Sequence, residues 1–182
     1  MKHLLPLLFL LLFSCREYRC ISDADYVYNT VKQYNPENAE RYTFCIIYYS
    51  VKYELDPKIV TRLIREETHF QHGKISPVGA RGAGQVRPVV WQHLLYRIDG
   101  GDLGRYIIKQ QIKDTSRYYH RIGYGIELSC IVLKHYLDKH GSYPLALLYY
   151  HMSRDSKWFW KYKNGERDIM RCKYIRNIMK GE

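Results

Sequence analysis

The chain has 182 residues, 46% hydrophobic, which suffices for one domain with a real core and excludes a disordered polymer. Its formal charge of +11 favours an anionic partner, without choosing among nucleic acid, an anionic membrane and an acidic polymer. Nineteen tyrosines suit a surface that grips an amphipathic ligand, and equally the rim of a small core.

The start of the chain narrows the choice of partner. MKHLLPLLFLLLFSC has a basic residue, Lys2, and an apolar run from Leu4 to Phe13 that is too short to span a bilayer stably. This pattern reads as a secretory signal over residues 1–14. Leu12-Phe13-Ser14-Cys15 resembles a bacterial lipobox, which implies cleavage before Cys15 and lipid on its sulfur and new amino group. Arg16 follows the cysteine, so the expected location is the periplasmic face of the outer membrane. Export disfavours nucleic acid as the partner and leaves the cell wall or a lipid surface. Cys20, Cys45, Cys130 and Cys172 form no CxxC pair and no HExxH occurs, so no metal site and no cofactor are expected. The four cysteines leave both disulfides and free buried thiols open.

Residues 15–35 read as a polar linker with room for one short helix. A helix is predicted from about Pro36 to Leu55, capped by Asn35, with Phe44, Ile47 and Val51 at helical spacing. Asp56-Pro57 repeats the start signal for a helix to about His69. A glycine-rich loop covers Gly73 to Gln85, and another helix begins over Val89 to Tyr96. IDGGDLG breaks the chain, and Arg105 to Arg121 is weakly helical. Helices are predicted over Ile126 to Lys139, stopped by Gly141, and over Tyr143 to His151. A last amphipathic helix carries Ile169, Tyr174, Ile175 and Ile178. No strand alternation is visible, so the expected fold is all-α, in a single domain over 36–182.

Within the helix from Pro57, the apolar residues Ile59, Val60, Leu63, Ile64 and Phe70 share one face. At 3.6 residues per turn Glu67 falls within roughly 20° of that face's centre and Glu66 about 80° away. A carboxyl group on an apolar face is costly to ionise, so its pKa should rise, as a general acid near neutral pH requires. Gly79, Gly82 and Gly84 follow, where the backbone can turn sharply or approach a ligand.

These residues resemble a known family. Glu67-Thr68-His69-Phe70 is similar to the Glu-Ser-x-Phe of the lytic transglycosylase (SLT) domain, whose fold is lysozyme-like. Ser76-Pro77-Val78-Gly79-Ala80-Arg81-Gly82-Ala83-Gly84-Gln85 resembles its Ser-x-x-Gly-Ala-x-Gly-Leu-Met-Gln segment. Leu145 to Ser153 resembles Leu-Ala-Leu-Ala-Ala-Tyr-Asn-Ala-Gly. The likeness spans roughly Pro36 to Ile178. It implies cleavage of the β-1,4 bond between N-acetylmuramic acid and N-acetylglucosamine in peptidoglycan, with Glu67 as sole catalytic acid/base. It implies substrate-binding roles for Thr68, Ser76, Gly79, Ala80, Gln85, Tyr150 and His151. Gln85 would bond the sugar or orient Glu67, and Tyr150 would donate its hydroxyl toward Glu67.

The chain departs from the family at several places. Ala83-Gly84 replace Leu-Met, an exchange expected to widen the cleft wall; His151 replaces asparagine and Ser153 replaces glycine. Gly125-Ile126 stands where Asn-Ile is usual, and the segment between Pro88 and Ile126 is longer. A goose-type-lysozyme-like hydrolase and a non-catalytic wall-binding lipoprotein are the competing expectations. Protein partners are not legible.

Overall fold

The computed structural model describes residues 22–87, 89–90, 121–152 and 156–181. The expected signal, Cys15, Cys20, Ser153, most of the helix over Val89–Tyr96 and nearly all of the segment Arg105–Arg121 lie outside the described residues. What is described is helical, with isolated β-bridges and no strand. The all-α expectation therefore holds.

Residues 22–32 form helix α1, whose Val27 and Val31 are fully buried in the main core. From residue 22 onward, the stretch read as a polar linker thus packs into the domain. Its two valines at i and i+4 suffice to bury one face. Asn35 accepts a hydrogen bond from the Asn38 amide and starts a 3-10 turn, Pro36–Asn38, that leads into α2 (Ala39–Lys52). Asp56 caps α3 (Pro57–Thr68) by accepting from the Lys58 amide at 2.8 Å. His69 and Phe70 then both take left-handed backbone conformations, with φ of 54° and 60°. Two such residues in succession reverse the chain and tuck the Phe70 ring into the core, and the Phe70 carbonyl accepts from the Asn35 amide nitrogen.

Helix α4 runs from Ile122 to His140, one turn earlier than its sequence suggests. Gly123 and Gly125 disfavour helix in isolation, but burial of Ile122 and Ile126 outweighs that cost. Gly141 ends it with φ of 71°. Helix α5 covers Tyr143–His151. A short helix not foreseen from the sequence, α6 (Lys157–Lys163), is capped by Ser156 and buries Phe159 and Tyr162. The last expected helix divides into a 3-10 turn, Ile169–Arg171, and α7 (Lys173–Lys180).

Helix α4 is the central rod. It packs on α2, α3 and α5, while α7 closes against α3 and α5. Cys45, Cys130 and Cys172 are buried free thiols. Glu127 is fully buried on α4, where it accepts from Lys52 Nζ at 3.2 Å and Tyr53 Oη at 2.9 Å, tying α4 to the end of α2. Arg62 ties three helices. It donates to the Tyr26 hydroxyl on α1 and to the Ile178 and Met179 carbonyls at the end of α7. Replacing Arg62 with Ala is predicted to destabilise the fold by about 2 kcal/mol, the usual scale for losing charged hydrogen bonds. Chemical denaturation measures this, and an unchanged midpoint would refute the role of the tie.

Candidate active site

Helix α3 delivers Glu67 to the wall of a cleft of about 250 Å³. Among the described residues the lining also includes Ser76, Ala80 and Gln85 from the loop, Tyr136 from α4, and Tyr150 and His151 from α5. The helical turns before Glu67 bury Ile59, Val60, Leu63 and Ile64 on the same face, so the carboxyl group sits at the edge of the core. Burial raises its pKa from 4.5 to about 7; a hydrogen bond from Tyr174 lowers it, and the nearby Glu66 charge raises it. Desolvation wins because a carboxylate loses more hydration here than one hydroxyl restores. Glu66 points elsewhere, accepting from Arg65 at 3.4 Å and from the Asn177 amide nitrogen at 3.2 Å. The wheel argument thus separates the two glutamates correctly.

The Tyr174 hydroxyl donates to Glu67 Oε1 at 2.5 Å. In the sequence Tyr174 stands only as part of the last amphipathic helix. It lies 107 positions from Glu67, and only the docking of α7 on α3 brings the two together. Burial, followed by the neighbouring Glu67 charge, raises the Tyr174 pKa well above the ordinary value, so the phenol stays protonated and donates. The His151 ring stacks on Tyr174 with centroids 3.8 Å apart and planes 11° from parallel. His151 keeps an open edge on the cleft, yet its covered part holds its pKa below the ordinary value.

Tyr150 does not make the expected bond. Its hydroxyl donates to the Gly84 carbonyl at 2.7 Å, although Glu67 is close enough to reinforce the rise in phenol pKa that burial causes. Tyr150 therefore lines the cleft and anchors the loop, while Tyr174 holds the acid.

The glycine-rich loop is stapled rather than loose. Thr68, expected to touch substrate, is fully buried; its hydroxyl bonds the Ala83 carbonyl at 2.7 Å and the Ile64 carbonyl at 3.3 Å. It fastens the loop to the end of α3 instead of facing the cleft. Ser76 Oγ accepts from the Ala80 amide, and Gly79, at φ 78°, makes the intervening turn. Ser76 and Ala80 line the cleft, whereas the part of Gly79 is conformational. Gln85 takes φ of 51° and donates its side-chain amide to the Lys74 and Gly82 carbonyls. Both amide hydrogens are thereby engaged, so Oε1 is the atom with which Gln85 can meet a ligand.

The expectation that Ala83-Gly84 widen the cleft is corrected. Ala83 is fully buried, and a Cβ on Gly84 would lie 1.9 Å from Ser129 Oγ and 2.8 Å from the Tyr150 hydroxyl. The space left by the missing side chain belongs to α4 and α5. Gly84 is small because Ser129 and Tyr150 occupy that volume.

No cluster of three or more metal-ligating side chains occurs among the described residues. Comparison with models of protein families, with curated proteins and with solved structures gives no match.

Proposed function

We propose that the chain is a peptidoglycan lytic transglycosylase built on a lysozyme-like helical domain and anchored to the envelope by lipid on Cys15. The observation that carries this reading is Glu67: a carboxyl group on a cleft wall, with a pKa of about 7, held by a buried tyrosine hydroxyl. Near neutral pH a large fraction of it is protonated and ready to give a proton to the glycosidic oxygen. The bond from C1 to that oxygen breaks, and the Tyr174 hydroxyl stabilises the carboxylate left behind. That carboxylate takes the proton of the muramic acid 6-hydroxyl, whose oxygen closes on C1 to give a 1,6-anhydro ring. One carboxyl group serves both steps, unlike the paired carboxylates of most glycosidases. The cationic Arg87 on the lining favours an anionic glycan.

Mass spectrometry of fragments released from purified peptidoglycan tests the reading. Anhydro-muramic ends that vanish with Glu67→Gln are the expected result. Reducing ends would assign the same acid to a hydrolase that uses water. Wall binding without fragments would reject catalysis.

Replacing Tyr174 with Phe is predicted to lower kcat by about tenfold or more through loss of a positioned, charge-assisted hydrogen bond. The same change should move the basic limb of the pH profile upward, because that bond lowers the Glu67 pKa. A lower rate with an unmoved limb would make Tyr174 merely structural.

A further inference from the structure

Helix α2 turns an unusual face outward. Phe44, Tyr48 and Val51 stand at i, i+4 and i+7 and are 70%, 48% and 61% exposed. The core instead uses Ala39, Tyr42, Cys45 and Ile46. The Phe44 and Tyr48 rings stack with centroids 5.9 Å apart. With Ile47, and with Ala24 from the first turn of α1, they line an open groove of about 510 Å³. The outer stripe of a helix is normally polar, and a contiguous apolar patch of this kind marks an interaction site.

We propose that this groove docks on a phospholipid bilayer, with Phe44, Ile47, Tyr48 and Val51 entering the boundary between headgroups and acyl chains. The proposal rests on the lipid anchorage at Cys15. Six residues separate Cys15 from the start of α1 at residue 22, and the chain from one to the other reaches at most ~25 Å. Ala24 places the entry of that tether beside the groove, so the groove stays within reach of the membrane that holds the lipid. The side chains suit that boundary: apolar bodies with a phenol tip on Tyr48, and a Lys52 stem alongside. The cleft lining draws on α3, α4, α5 and the segment from Ser76 to Val90, with none of its residues from α1 or α2. Docking through α2 therefore leaves the cleft available to the wall.

The test uses the full chain in cells, with Tyr48 replaced by the photoreactive p-benzoylphenylalanine. Irradiation is expected to give a phospholipid adduct. The same substitution at Ile75, exposed on the loop, is expected to give none. Adding Phe44→Ser and Val51→Ser, both at exposed positions, should abolish the Tyr48 adduct. The purified, lipid-bearing chain in vesicles of phosphatidylethanolamine with a minority of phosphatidylglycerol should behave alike. An adduct to a second copy or another protein, an equal lipid adduct at Ile75, or no adduct would overturn the proposal. The mass of the N-terminal fragment from the same sample reports lipid on Cys15 separately. Lipidated Cys15 without a Tyr48 adduct rejects the docking surface alone. Unmodified Cys15 rejects the anchor, whatever Tyr48 captures.

Discussion

Glu67→Gln is expected to reduce the release of sugar fragments by about 10²–10⁴-fold, the usual contribution of a positioned general acid. It should also stabilise the protein at alkaline pH, which an ordinary disabling substitution would not do. The Glu67 pKa is raised on folding from 4.5 to about 7. Below pH 4.5 the group is protonated in both states and affects stability little. Between pH 4.5 and 7 the unfolded chain has released a proton that the native state keeps, so stability falls as pH rises. Above pH 7 both states are ionised and the native state carries the full cost of a desolvated carboxylate. That cost is about 3 kcal/mol. Glutamine fills the same space without the charge, so the variant should exceed the wild type in stability at pH 8 and match it near pH 4. Urea unfolding at the two pH values checks this. A variant no more stable at pH 8 than at pH 4, relative to wild type, would mean that Glu67 is well solvated.

Gly84→Ala is expected to be the most damaging small substitution in the loop. The added methyl group would meet Ser129 Oγ at 1.9 Å, Ser129 Cβ at 2.8 Å and the Tyr150 hydroxyl at 2.8 Å. Overpacking of this kind costs about 1–3 kcal/mol. Displacing Tyr150 also breaks its bond to the Gly84 carbonyl, which adds about 1 kcal/mol. Activity should fall with stability, because Tyr150 and the loop both line the cleft. Ser129→Ala removes the nearest obstructing atom and should recover part of the loss; thermal unfolding of the single and double variants measures it. Tolerance of Gly84→Ala at wild-type stability would show that the loop is not seated against α4. The same contacts forbid the methionine that the resemblance would place at this position.

Much of the site was legible from the residues alone. Asp56-Pro57 started α3 where the cap and proline demanded, because these signals act within one turn. The wheel singled out Glu67, since helical phase depends only on spacing. The resemblance of the loop segment, rather than its glycines, pointed to Ser76, Ala80 and Gln85, which line the cleft. Other features depended on contacts between distant segments. Tyr174, not Tyr150, became the partner of Glu67 because α7 docks on α3. Thr68 turned inward because the Ala83 carbonyl needed a donor in a buried place. The stripe of Phe44, Tyr48 and Val51 has the period of a core face, and periodicity cannot say which side of a helix its neighbours will cover. Local chemistry thus determined where helices begin and which carboxyl group is anomalous. Tertiary packing alone decided which hydroxyl holds it, why Gly84 is small, and which apolar face is left outside.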